Sequence, residues 1–143
     1  MNKIYIFLIM FFLLCNSNLI YSDSVKAEKY SKIKIYFIDW SIITRSRFKL
    51  DYIRNNYDVS ITLNDTDEIN GFINWLQLEK LKYNKDYEDE DPRLVVDLYH
   101  NSGKQISFYA SQFNLCSEDS KQKRQIGENF KQTFYLWSKK KNK

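Results

Sequence analysis

The chain has 143 residues and a formal net charge of +4, but Lys3 and the four lysines of Lys139–Lys143 account for the whole excess. Without them 17 basic residues face 18 acidic ones, so the body is near neutral and lacks the basic face that a nucleic-acid binder turns to phosphates. One proline and three glycines argue against a loop-rich or repetitive chain.

Met1–Lys3 carries one positive charge, Ile4–Cys15 (IYIFLIMFFLLC) is a twelve-residue apolar run, and Asn16-Ser17-Asn18 breaks it. Twelve residues make about 18 Å of helix, short of the ~30 Å hydrocarbon core, so this is not a membrane span. A positive start, an apolar middle and a polar, small-residue exit read as a cleaved secretory signal over residues 1–22, with cleavage after Ser22 or, second, Ser24. A lipid anchor on Cys15 is disfavoured by the bulky Leu14 before it. Residues 23–143 then form one domain with a short lead-in and a basic tail, large enough for a core without staples. Cys116 is its one cysteine, so no intrachain disulfide exists. The thiol reads as a small buried hydrophobe, with an intermolecular disulfide as the sharper alternative.

Val25–Ser31 is a polar lead-in. Lys32–Trp40 alternates, with Ile33, Ile35 and Phe37 on one side and Lys34, Tyr36 and Ile38 on the other, which predicts a first strand. Arg45 and Arg47 precede a short helix around Lys49–Asn56. Asp58–Asn64 alternates again and predicts a second strand. Asp65, three residues before Glu68, is a capping signal, and Ile69, Phe72, Ile73 and Leu76 follow helical spacing, so a helix is expected over Thr66–Leu81. Lys85–Pro92 is an acidic loop that Pro92 closes. In Arg93–Ser111 two alternating runs flank Asn101-Ser102-Gly103, the punctuation of a hairpin. Leu94, Val96, Leu98, Ile106, Phe108 and Ala110 take one face; Val95, Asp97, Tyr99, Gln105, Ser107 and Tyr109 take the other. Truncating Phe108 is thus expected to cost far more than truncating Tyr109. Phe113 and Leu115 are expected to point inward. Ile126, Phe130, Phe134 and Trp137 predict a second long helix over Glu118–Lys139.

These elements predict an α+β fold: a four-stranded mixed sheet with a β-hairpin in its C-terminal half, and two long amphipathic helices and one short helix packed on one face. The other face would meet water and carry several tyrosines.

Sequence motifs for catalysis are absent. His100 is the sole histidine and sits at the hairpin turn, without the partners of a triad or zinc site. Phosphate-cradling glycines, GxSxG and HExxH do not occur. Asp86, Glu88, Asp89, Glu90 and Asp91 crowd one loop without the spacing of an EF-hand, so no metal and no cofactor is predicted. Asn64-Asp65-Thr66 is a formal glycosylation sequon whose residues a helix cap explains equally well.

The leading functional expectation is an exported protein, periplasmic or extracellular, that docks another protein as inhibitors and immunity proteins do. Tyr36, Tyr99 and Tyr109 would supply the recognition surface, Arg45 and Arg47 its rim, and Asp89, Glu90 and Asp91 a charged docking patch. The alternatives are a small envelope hydrolase using acids gathered by folding, and a small-ligand or glycan carrier using the aromatic sheet face. If export holds, intact mass of secreted material will place the mature start near Asp23 or Val25. A retained Met1, or a mass fitting lipidated Cys15, would contradict it.

Overall fold

The computed structural model describes residues 30–85 and 90–142. The leader with its cleavage sites, most of the lead-in, and Asp89 lie outside them. The alternating runs become the centre of one seven-stranded sheet: β1 (Tyr30–Phe37), β2 (Val59–Leu63), β3 (Lys82–Tyr83), β4 (Leu94–His100), β5 (Gln105–Ala110), β6 (Asn114–Ser117) and β7 (Gln122–Gln125). The order across the sheet is β2-β1-β4-β5-β6-β7-β3, antiparallel throughout. Three helices join it: α1 (Leu50–Asn55), α2 (Thr66–Leu76) and α3 (Glu128–Lys141).

The hairpin forms in the register its alternation predicts, pairing Leu94 with Ala110, Val96 with Phe108 and Leu98 with Ile106. Gly103 has φ +84°, so its turn needs a residue without a Cβ penalty. Ile33, Ile35 and Phe37 of β1 extend the same apolar face, and α2 and α3 cover it. Ile69, Phe72, Ile73 and Leu76 of α2 are buried there with Phe130 and Phe134 of α3. The Asp65 carboxylate accepts from the Asp67 and Glu68 amides, each at 3.0 Å, and so caps α2.

The expected four-stranded mixed sheet is therefore corrected to seven antiparallel strands, with helices on both faces rather than one. The main difference lies in 114–125, expected as connection and helix but folded as β6 and β7. Only Leu115 and Cys116 in that stretch are apolar and buried, while β7 (QKRQ) has no apolar residue to betray its period. Its backbone pairing carries it. The turn before β7 is closed by Asp119, whose carboxylate accepts from Ser117 Oγ at 2.7 Å and from the Lys121 amide at 3.1 Å. The helix begins only after Gly127.

β7 also ends α2 early. Arg124 donates from Nε (3.1 Å) and Nη2 (2.7 Å) to the Leu76 carbonyl, satisfying a group that the helix end leaves orphaned. Gln77 turns left-handed at φ 50°, and Leu78–Lys80 continues as a 3-10 turn rather than as helix to Leu81.

The second sheet face is not a wet surface along its whole length. α1 lies across it, and Ile53 is buried with Ile38, Val95, Tyr109 and Cys116. A six-residue helix is unstable alone, so tertiary contacts such as this one must hold it in place. Burial pushes the Cys116 thiol up to about 11 and the Tyr109 hydroxyl up to about 12. The thiol is therefore neutral and sequestered, and an intermolecular disulfide would require α1 to lift. Tyr109 is 3% exposed and its hydroxyl is hydrogen-bonded to Ser120 Oγ at 2.7 Å, whereas Phe108 is only half-buried. Tyr109→Ala should thus destabilise by about 3–5 kcal/mol, at least as much as Phe108→Ala. Denaturant midpoints in the opposite order would mean that α1 does not hold this face shut.

Candidate functional site

Beyond Ile53, the contact between α1 and the sheet is polar. Asp97, one row along β4 from Val95, is buried to 2% side-chain exposure. Arg54 meets it as a fork, Nε to Oδ2 at 3.0 Å and Nη2 to Oδ1 at 2.8 Å. Ser107, paired with Asp97 across the hairpin, donates to the same Oδ1 at 2.7 Å and accepts from Arg54 Nη2 at 3.1 Å. Asp51 takes Arg54 Nη1 at 2.9 Å. The hydrogen bond from Arg54 to Asp97 holds the guanidinium proton well above its ordinary value. A carboxylate and guanidinium that saturate each other leave no free base or nucleophile. This cluster is a clamp.

The expected tyrosines fall around that clamp rather than in one patch. Tyr36 is half-buried against Tyr57 at 5.6 Å between ring centroids, and burial raises its hydroxyl pKa. Tyr99 is partly exposed in the row that α1 leaves open, with Lys32 Nζ 4.6 Å and Lys34 Nζ 5.8 Å from its ring centre. Tyr109 lies under α1.

Arg45 and Arg47 are exposed on a different feature, the loop from Ile38 to Lys49. This loop is braced from several sides. The Asp39 amide donates to Asp58 Oδ2 at 2.9 Å, and Ser41 donates to Asp39 Oδ1 through N–H (2.8 Å) and Oγ (2.6 Å). Gln112 Nε2 donates to the Trp40 carbonyl, and Arg93 Nη2 donates to the Ile42 carbonyl at 2.8 Å. The Phe48 amide donates to Asp91 Oδ1 at 2.8 Å. Arg93 itself lies over the Phe48 ring and pairs with Asp91 at 2.7 Å.

Between these supports, Ile43 is 97% exposed. The loop follows β1 where β1 pairs with the start of β4 and β4 with the end of β5, so the β5–β6 turn shares its end of the sheet. That turn carries Phe113, expected to point inward but 68% exposed. Ile42 and Tyr52 are also exposed.

The described acids of the loop before β4 face the molecule. Glu90 accepts from Ser111 Oγ and from Asn114 Nδ2, the latter at 2.6 Å; Asp91 holds Phe48 and Arg93. A cleft of about 370 Å³ brings Arg47, Glu90 and Tyr109 together beside Phe48 and Glu118. Arg45 and Arg47 are legible by their place after the first strand, but Ile42 and Ile43 are not and Phe113 reads as inward-facing, because an apolar loop residue belongs to no period.

Among the described residues no group of His, Cys, Asp and Glu could hold a metal ion, and no helix is long and apolar enough to cross a membrane.

Removing one member of the clamp tests its structural role. Arg54→Met strands Asp97 in the sheet and should cost about 3–5 kcal/mol, much of it regained when Asp97→Leu is added. A single-variant cost below about 1 kcal/mol in urea unfolding, the scale of a surface pair, would refute it.

No protein-family model matches this chain, and neither does any curated protein or solved structure.

Proposed function

We propose that the chain is an exported protein that docks another protein, in the manner of an inhibitor or immunity protein, through the loop 38–49 end of its sheet. The observation that supports this most directly is a braced backbone holding Ile43 97% exposed. Ile43, with Ile42 and Phe113 also exposed at this end of the sheet, is apolar surface that adds nothing to folding stability, and an apolar pocket on a partner would gain free energy by burying it. Fixing the loop beforehand removes the ordering entropy that a mobile loop would lose on binding.

Arg45 and Arg47 follow Ile43 on the same loop, and Arg is enriched among residues that dominate interface energies. Phe113 adds an exposed aromatic at that end of the sheet. The complementary partner surface is an apolar depression with an acidic rim.

The test uses the mature chain as bait in crosslinked pull-downs from the native envelope and medium, alongside an Ile43→Asp bait. The variant should keep the wild-type circular dichroism and melting curve, since Ile43 contributes nothing to the core. Any partner of the wild type should bind it at least about thirtyfold more weakly, the ~2 kcal/mol of a hot spot. A folded variant that holds the same partner with unchanged affinity overturns the assignment to this loop.

A further inference from the structure

On the sheet face away from α1, α2 and α3 lie antiparallel on the core, as the pairs Glu68–Lys141, Phe72–Trp137 and Trp75–Phe130 require. Between them is a half-open cleft of about 340 Å³. It is lined by Phe72, Trp75, Phe134 and Trp137, whose rings touch across the helix pair, with centroids 5.1 Å apart for Phe72–Trp137 and 6.0 Å for Trp75–Phe134, so the cleft lies over these rings rather than between them. We propose that this cleft binds a small, neutral, planar apolar molecule of roughly two fused or linked rings.

Size comes from the volume. An apolar cavity of roughly 150 Å³ holds benzene, and this cleft is a little over twice that, at the lower end of the range for small-ligand pockets. Planarity comes from this lining, since aromatic faces pair best with offset or edge-on π systems. Neutrality comes from the rim. Glu68 and Lys141 are ion-paired with each other across one end, so neither is left over to recognise a charge, and Thr133 adds one neutral hydroxyl.

Gly71 is a second, independent sign. It lies inside α2, where glycine costs about 1 kcal/mol relative to alanine. Its φ is not positive, and a Cβ built on it would meet nothing within 4 Å. Neither backbone conformation nor close packing calls for glycine here. What it does is leave the lip of the cleft open.

The full mature chain can be titrated with N-phenyl-1-naphthylamine, a neutral probe of this size that fluoresces in apolar surroundings. A saturable one-site signal is expected, with the indole N–H resonances of Trp75 and Trp137 shifting while that of Trp40, outside the cleft, stays still. Gly71→Leu should fill the lip and weaken binding at least tenfold without lowering the melting temperature. Thr133→Leu, from the facing helix, should do the same and stands in if Gly71→Leu fails to fold. Absence of saturable binding, or unchanged affinity in a folded cleft-filling variant, overturns the proposal. So does equal affinity for naphthalene-1-sulfonate, or a self-association in sedimentation that Gly71→Leu abolishes, which would make the occupant a second copy. Ile43→Asp should leave probe binding untouched, so this site and the docking loop fail or stand separately.

Discussion

Asp97 places a carboxylate in the middle of the central strand β4, out of reach of water, and much of the second face follows from the need to neutralise it. An isolated buried carboxylate would cost several kcal/mol, so Arg54 must stay in place. Arg54 is in the last turn of α1, and its fork fixes both the position and the rotation of that helix. Ile53, next in the chain, is thereby set down on Val95, Tyr109 and Cys116. A six-residue helix with one fully buried side chain could not hold that place by apolar contact alone. The polar clamp gives orientation, the apolar patch gives free energy, and each needs the other.

The consequence reaches loop 38–49. Loop 38–49 runs directly into α1, so a fixed α1 fixes the loop's far end, while β1 fixes its near end. The supports between come from elements remote in sequence: Asp58, Asp91, Arg93 and Gln112. Each takes up a backbone N–H or carbonyl that an irregular segment leaves unpaired. The backbone's polar groups are thus directed inward, and the side chains of Ile43, Arg45 and Arg47 are left for the outside.

How much of this could be read in advance depends on the range of the interaction. Period-two alternation named the faces of β4 and β5 correctly, since Leu94, Val96 and Leu98 face the core whatever else happens. The cap at Asp65 and the stripe from Ile69 to Leu76 were equally visible, being local. The partner of Asp97 was not, because Arg54 is 43 residues away and solvated arginines look the same in sequence. Nor was the end of α2, which is set by Arg124 from 48 residues downstream. β7 could not be found at all by hydrophobic pattern, since its four residues contribute pairing and a helix cap rather than a buried face. The tyrosines were assigned to a face correctly. What covers that face was a tertiary fact, and it turned Tyr109 from a surface residue into a core one.

The same geometry bears on the charge around loop 38–49. An acidic run beside a near-neutral body suggests a negative docking patch that would favour a basic partner. Yet of its described acids Asp91 is ion-paired with Arg93 at 2.7 Å and Glu90 lies 4.0 Å from Lys123, so part of that charge is balanced within the molecule. Arg45 and Arg47 remain exposed on the loop. Charges paired at contact distance project little field, and screening confines the rest to about 10 Å at 0.1 M salt. On loop 38–49 the exposed groups include the Arg45 and Arg47 guanidinia and the Ile43 side chain. Asp91, by holding the Phe48 amide, fixes the end of the loop just after Arg45 and Arg47, so an acid of that run serves the backbone that carries the arginines.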